Sequence, residues 1–191
     1  MKSIDIIRLI ENDTMRMNIL RDVASLGLPD WWIGAGFVRN CVWDYLHGYK
    51  VSSPLNDVDV IYFDMSDFTA QEAVLESTPR EDNYQELLRK KNSNVMWSVT
   101  NQARMHIFHN DQQYQSSEDA LAHWVETATC IGVRLNKDNT LELIAPYGLD
   151  DLTQLIVRPT PYHKDNLDEF YNRIEKKKWL TLWAKLHVVE K

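Results

Sequence analysis

Two aspartates one position apart, Asp57 and Asp59, are the side chains in this sequence best suited to chemistry. They open a short apolar run that ends at Phe63, and alternate residues of a β-strand share one face. The two carboxylates are therefore expected to point the same way, while Val58 and Val60 face the opposite side. Two like charges this close repel each other unless a cation lies between them, so the pair predicts a binding position for Mg²⁺.

A glycine turn precedes the aspartates. Gly34 and Gly36 allow the backbone to come close to a ligand, and the apolar spacing predicts a helix from Phe37 to Leu46 directly afterwards. Free N–H groups at the start of such a helix attract phosphate, and Arg39 in its first turn would add a bidentate phosphate contact. The alternative is a strand-to-helix corner whose glycines serve only the geometry of the turn.

Two other interpretations of these motifs fail. The spacing from Gly34 to Gly36 begins like a dinucleotide fingerprint, but Arg39 stands where that motif needs its third glycine. An aspartyl-phosphate phosphatase carries its nucleophilic aspartate at the end of a buried strand. Here Asp57 and Asp59 open their strand instead, which excludes that class.

Composition sets the broad class of the protein. The chain has 191 residues, 44% of them hydrophobic and 26% charged, which is typical of a globular domain. The formal net charge of −7 argues against general binding to nucleic acid, although a local basic stripe remains open. Cys41 and Cys130 stand among apolar residues and predict buried free thiols in a reducing compartment. No apolar run approaches the ~20 residues that span a bilayer, and Met1–Asp5 lacks the apolar character of a secretory signal, so the sequence predicts a cytoplasmic protein.

The order of predicted elements indicates an α/β or α+β fold with a small mixed sheet and flanking helices. Helices are expected near residues 6–10, 14–26, 37–46, 67–90 with a break near Pro79, 116–124 and 166–186. Strands are expected near residues 31–33, 57–63, 95–108, 129–135 and 140–145, the last two joined by the turn at 137–139. Asp150 and Asp151 are expected to begin a short helix.

The turn, the helix and the acidic pair together resemble the polymerase-β-like nucleotidyltransferase superfamily. The segment 35–40 with Asp57 and Asp59 is especially similar to the head domain of tRNA nucleotidyltransferases and poly(A) polymerases. Nearly the whole chain resembles a family of small bacterial nucleotidyltransferase-like proteins, on the strength of segments 101–106, 124–128 and 145–152. This resemblance implies one domain over residues 1–191, with a motif core at about 30–110 and a C-terminal hairpin and helices at about 115–191.

The resemblance also implies an activity. Asp57 and Asp59 would hold Mg²⁺ or Mn²⁺, while the turn at Gly34, Ala35 and Gly36, together with Arg39, would hold the phosphates of an NTP. The protein would then transfer a nucleoside monophosphate to a hydroxyl acceptor and release pyrophosphate. The acceptor is left open between RNA, protein and a small molecule, and the oligomeric state is also open.

Two further segments bear on ligand binding. Asn101 and Arg104 are candidates for nucleotide contacts, with Arg104 facing phosphate, although a buried structural network fits them equally well. The basic run 176–178 precedes an apolar stripe made by Trp179, Leu182, Trp183 and Leu186, which predicts a helix packed on the core. Its lysines either lie in water or bind RNA phosphates.

One departure from the superfamily pattern keeps a second function open. Many members place a third carboxylate on the strand beside the acidic pair, but here that strand offers only Ser98 and Thr100. Glu126 and Glu142 are the remaining candidates, unless both are exposed strand residues. The alternative is therefore a non-catalytic nucleotide-binding or RNA-associated regulatory protein that keeps the fold.

Overall fold

A computed structural model describes residues 1–165 and 167–189 of the chain. The helices in these ranges are α1 (Ser3–Glu11), α2 (Thr14–Ala24), α3 (Gly36–His47), α4 (Pro79–Lys91), α5 (Met105–His109), α6 (Ser117–Ala122), α7 (Asp150–Thr153), α8 (Leu167–Lys176) and α9 (Trp179–Leu182). None of these helices is long and apolar enough to cross a membrane.

The described strands form one mixed sheet and a small ribbon. The strands are β1 (Trp32–Gly34), β2 (Val58–Tyr62), β3 (Trp97–Asn101), β4 (Gly132–Leu135), β5 (Leu141–Ile144), β6 (Ile156–Val157) and β7 (His187–Val188). The sheet has the order β3-β2-β1-β4-β5, in which β2 and β3 are parallel and the other neighbours are antiparallel. The short strands β6 and β7 pair in parallel. The predicted mixed α/β architecture is confirmed.

Because apolar residues alternate along the strands, most of the buried core side chains lie on one face of the sheet. Helices α1, α2 and α3 cover that face. Its buried side chains include Ile6, Ile19, Leu20, Val23, Ile33, Val38, Val42, Val58, Val60, Tyr62, Val99 and Val133. A smaller cluster on the opposite face contains Trp32, Ile61, Leu121 and Cys130. Since Asp59 alternates with Val58 and Val60, it lies on this second, less covered face.

The structure corrects three predicted elements. Of the helical stretch expected at 67–90, only α4 is an α-helix, and residues 67–78 contain a single 3-10 turn at Glu72–Val74. The extended segment expected at 95–108 ends as a strand at Asn101, because the Asn101 side chain accepts a hydrogen bond from the Ala103 amide and starts a 3-10 turn that leads into α5. The single helix expected at 166–186 is broken into α8 and α9 by Lys178, which has a positive φ of 53°. The predicted start of that helix at Asn166 lies outside the described residues.

Candidate functional site

The acidic pair lies where the sequence predicts it, at the start of β2, which lies between β3 and β1 in the sheet. Val58 and Val60 are buried in the main core, and Asp59 lies opposite Ser98 in the parallel register of β2 and β3. Asp57 directly precedes the strand, and its side chain is 46% exposed. The pair therefore combines a half-buried carboxylate with a more exposed one on the open face of the sheet.

The surroundings of Asp59 disfavour its negative charge. Burial, and then the charge of Asp57, raise the pKa of the Asp59 carboxyl from its ordinary value of 3.8 to about 6. The positive charges of Lys177, Arg39 and Arg173 act in the opposite direction and only partly compensate. A carboxylate held in this way binds a cation readily, because the cation removes the repulsion from its neighbour.

The turn before α3 has an unusual backbone at Ala35. Its φ of 50° and ψ of −121° lie in a region that glycine adopts freely and that costs other residues about 1 to 3 kcal/mol. The Ala35 carbonyl accepts the first helical hydrogen bond, from the Arg39 amide at 3.1 Å. A Cβ on Gly34 would lie 2.8 Å from the Trp124 ring, and one on Gly36 would lie 3.4 Å from the Arg39 guanidinium. Gly34 thus allows the Trp124 ring to pack closely against the turn, whereas a Cβ on Gly36 would make only ordinary van der Waals contact.

Arg39 is buried, and its guanidinium is only partly hydrogen-bonded. It lies against the rings of Trp43 and Trp179, at 5.2 and 4.4 Å from their centroids, and its Nη2 donates to Asn40 Oδ1 at 2.9 Å. Its Nε is buried and has no hydrogen-bond partner among the described residues. Burial lowers the pKa of Arg39 to about 10, which still leaves it charged at neutral pH. A buried cation with a free donor beside two carboxylates is suited to an anionic ligand.

The C-terminal helices bring two further cations to the aspartates. Lys177 Nζ lies 3.9 Å from Asp57 Oδ2, and Arg173 Nε donates to the buried Glu126 carboxylate at 2.7 Å. Sequence reasoning placed Lys177 within a basic run but missed Arg173, which no local motif marks. The left-handed turn at Lys178 follows Lys177 directly, in the segment that separates α8 from α9.

A buried carboxylate on α3 ties this C-terminal segment to the loop before Asp57. Asp44 Oδ1 accepts a hydrogen bond from Trp183 Nε1 at 2.8 Å, and its Oδ2 accepts from the Ser53 amide at 2.7 Å. Trp183 and Trp179 in turn pack edge-on against Trp43, as the apolar stripe predicted, but Leu182 of the same predicted stripe is 41% exposed. Sequence reasoning missed Asp44 as well.

Two cavities meet at Asp59. The first, which we call the cationic cavity, has a volume of about 230 Å³ and includes Gly36, Arg39, Asp57 and Lys177 in its wall. The second, which we call the histidine cavity, has a volume of about 320 Å³ and is lined by the residues Ser98, Thr100, His109, His123, His163 and Glu169, among others. Ala35, Asp59 and Arg173 line both cavities.

Asn101 and Arg104 are not among the residues that line the two cavities. Arg104 is fully buried and pairs with the buried Glu81 carboxylate at 2.7 Å, while its other N–H groups donate to the carbonyls of Leu75 and Glu76. The Asn101 side chain donates to the Asp64 carbonyl at 2.7 Å. Both residues belong to a buried network, which is the alternative that the sequence left open.

Among the described residues, no third carboxylate joins the acidic pair in the wall of the cationic cavity, and Glu169 shares only the histidine cavity with Asp59. No group of three or more His, Cys, Asp or Glu side chains in this part of the chain could hold a metal ion. Glu142 on β5 pairs with Arg134 on β4, and the strands β1 and β4 separate it from β2. Glu126 is buried rather than exposed, and its carboxylate is occupied by Arg173 and by the Thr129 hydroxyl at 3.0 Å.

Comparison with known proteins identifies the family. A family model described as nucleotidyltransferase matches residues 21–188, a range that includes the turn, Arg39 and both aspartates. The chain belongs to the nucleotidyltransferase family. This result confirms the resemblance to the polymerase-β-like nucleotidyltransferase superfamily, and with it the fold. A search of curated proteins gives no significant match.

Solved structures place the chain beside CCA-adding enzymes. It is 32% identical to a protein whose NMR structure is described as revealing a CCA-adding enzyme head domain, with a TM-score of 0.82 over 100% of this chain and 97% of that one. A CCA-adding enzyme in complex with CTP (13% identity, TM-score 0.57) matches 95% of this chain. The Thermotoga maritima CCA-adding enzyme in complex with tRNA (14%, 0.51) matches 91%. This chain spans only 42% and 38% of those two proteins, and at such identities the likeness shows the fold alone.

Proposed function

We propose that this protein is a metal-dependent nucleotidyltransferase that moves a nucleoside monophosphate from an NTP to a hydroxyl acceptor. One observation carries the proposal: Asp57 and the half-buried Asp59 share the wall of the cationic cavity with the unpaired Nε of Arg39. Carboxylates beside a buried arginine provide for a metal and for phosphate at the same place.

The donor set of the acidic pair fits Mg²⁺ or Mn²⁺. Mg²⁺ takes hard oxygen ligands and is commonly bound by one or two carboxylates, with substrate phosphates and water completing its coordination. Asp57 and Asp59 supply two such carboxylates and leave the other positions to the nucleotide. When bound, the ion would polarise the phosphate and lower the pKa of the acceptor hydroxyl.

The protein itself would bind and orient the triphosphate. The amides at the start of α3, next to Ala35 and Gly36, have no acceptor within the helix and can donate to phosphate oxygens. Arg39 Nε would donate from the buried side and Lys177 from the exposed side. Arg173 adds positive charge where the two cavities meet, and its pairing with Glu126 holds it there.

The proposed reaction is an in-line displacement at the α-phosphorus. The acceptor oxygen forms a bond to phosphorus while the bond to the bridging oxygen breaks, and pyrophosphate leaves with that electron pair. The hydroxyl proton passes to solvent. The rate gain from the protein would come from positioning and from neutralising charge on the phosphates.

The alternative function is a nucleotide-binding or RNA-associated regulator without transfer activity. It is favoured by β3, where Ser98 and Thr100 face the site and neither is acidic. Lys176 and Lys178 are exposed near the site and offer a surface for RNA phosphates. Related CCA-adding enzymes solved with CTP and with tRNA keep both nucleotide and RNA among the candidate partners.

One experiment tests the proposal and separates it from the alternative. Fluorescent NTP analogues are titrated with Mg²⁺ or Mn²⁺, and labelled NTPs are then incubated with candidate acceptors. Both assays compare the wild type with Asp57→Asn/Asp59→Asn and with Arg39→Lys. We expect metal-dependent binding that the double variant loses and that Arg39→Lys weakens about tenfold, since lysine cannot replace a stacked guanidinium.

The control variant is Glu118→Gln, which removes an exposed carboxylate on α6. It should bind nucleotide like the wild type. Nucleotide binding that survives in Asp57→Asn/Asp59→Asn, together with no transfer to any acceptor, would refute the enzymatic proposal. Metal-dependent binding without transfer would favour the regulatory alternative.

A further inference from the structure

The histidine cavity contains two hydrogen-bond acceptors that face each other without a proton between them. His163 Nε2 lies 3.7 Å from Glu169 Oε2, which is too long for a hydrogen bond. Both residues line the cavity on the side of α8, and the Glu169 side chain is 50% exposed. What this pair does depends on which nitrogen of His163 carries the proton.

A buried threonine determines that tautomer. The Thr160 hydroxyl has one proton and donates it to the Trp124 carbonyl at 2.8 Å, since a carbonyl can only accept. The Thr160 oxygen must therefore accept from His163 Nδ1, which lies 3.2 Å away. Thr160 is fully buried, and its own amide is bonded to the Val125 carbonyl at 2.9 Å, so the arrangement is rigid.

His163 consequently presents a lone pair at Nε2. Burial lowers the pKa of this imidazole below its ordinary value of 6.5, so the ring is neutral at pH 7. A neutral nitrogen and a carboxylate oxygen at this separation both require a donor from outside the protein. A ligand amino group, with one N–H for each acceptor, or two neighbouring O–H groups would satisfy both at once.

The geometry of an in-line transfer indicates which ligand would enter the histidine cavity. An in-line reaction brings the incoming oxygen to the α-phosphorus opposite the departing pyrophosphate. If the triphosphate occupies the cationic cavity, the incoming oxygen approaches from across Asp59, where the histidine cavity lies. This step rests on the proposed function.

We propose that the histidine cavity is the acceptor site, and that the acceptor is a small molecule rich in hydroxyl and amino groups that donates to His163 and Glu169. Among the described residues that line this cavity, the only Arg or Lys is Arg173, which is already paired with Glu126. An RNA end would bring phosphates that need free cations. The volume of about 320 Å³ also suits a small ligand.

The test uses D-glucosamine as a donor-rich probe, glycerol as a polyol, and a short RNA with a free 3′-hydroxyl. Transfer from labelled NTPs to each probe is measured for the wild type, for Glu169→Gln, and for the matched control Glu175→Gln, an exposed position on the same helix. We expect transfer to glucosamine, with its KM raised at least about tenfold by Glu169→Gln, which is the loss of one charged hydrogen bond. Glu169→Gln should leave the affinity for NTP unchanged. Glu175→Gln should transfer to glucosamine with the KM of the wild type.

An NMR measurement tests binding in the histidine cavity independently of catalysis. Histidine ¹⁵N NMR, assigned with His163→Gln, should show Nδ1 protonated in the free protein and a shift of Nε2 when glucosamine is added with an unreactive NTP analogue. Transfer to RNA alone, an Nε2 proton in the free protein, or no response to glucosamine would overturn the inference. If the wild type showed no metal-dependent NTP binding, that result would instead refute the proposed function. The ¹⁵N NMR signals of His163 could still be measured in that case.

Discussion

Replacing Asp59 by asparagine is expected to stabilise the metal-free protein while removing its metal-dependent nucleotide binding. Asp59 is ionised at neutral pH only against the cost of burial and of the neighbouring Asp57 charge. Asparagine has nearly the same shape but no charge, so it removes both costs. A gain in stability on losing a central residue is the signature of a site built for a ligand rather than for the fold.

The magnitude follows from the pKa of Asp59. Its rise from 3.8 to about 6 corresponds to about 3 kcal/mol, since one pKa unit equals about 1.4 kcal/mol. Because the folded pKa is the higher one, the unfolded chain loses its proton first, and stability falls as pH rises from about 4 to about 6. Solvent in the two open cavities screens part of the effect, so we expect Asp59→Asn to gain roughly 2 to 3 kcal/mol at pH 7.5 and less than about 1 kcal/mol at pH 4.

The assay is urea denaturation of the metal-free proteins between pH 4 and pH 7.5, with Glu118→Gln as the control for loss of one negative charge. Adding Mn²⁺ with an NTP analogue should then stabilise the wild type but not the variant, because only a bound ligand raises the free energy of unfolding. The reasoning is refuted if Asp59→Asn is no more stable than the wild type at pH 7.5. A difference that does not change between the two pH values would also refute it.

Two further substitutions test the turn and the buried network. Ala35→Val should lower the free energy of unfolding by roughly 1 to 3 kcal/mol, because a branched side chain is strained at a φ of 50°, whereas Ala35→Gly should leave it equal or higher. Urea denaturation checks both, and a fully stable valine variant would contradict the positive φ. Glu81→Gln should cost about 3 kcal/mol by leaving the Arg104 charge buried without its partner, and NTP affinity should stay the same. If Glu81→Gln lowered the affinity for NTP without lowering stability, Arg104 would have to contact the nucleotide.

The sequence predicted well those elements whose apolar residues repeat at the short spacing of a strand or a helix. Alternation of apolar residues located β2 and the hairpin of β4 and β5, and helical spacing located α3. Prediction failed where one side chain ends an element, as Asn101 does for β3, or where a non-glycine residue adopts a positive φ, as Lys178 does between α8 and α9. Such local events leave no periodic signal.

Among the residues of the candidate site, those close together in the sequence could be proposed from it, and those with distant partners could not. The sequence offered Asp57, Asp59 and Arg39 as candidates because the motif holds them within about twenty residues of one another. Arg173 and Asp44 were missed, because each acts through partners far away in the chain. The sequence left Arg104 open between a phosphate contact and a buried network, and the structure decides for the network by pairing it with a buried glutamate that the motif does not contain.

The sequence by itself determined that two carboxylates share one face of a strand behind a glycine turn, because the period of a β-strand is a property of its own backbone. Tertiary structure alone decided the electrostatics of that face. Lys177 and Trp179, brought back beside Asp57 and Arg39, supply a charge and an aromatic wall. Tertiary packing also created the pair His163 and Glu169 across Asp59 from the cationic cavity. Long-range packing depends on which surfaces meet after folding, and spacing along the chain does not encode that.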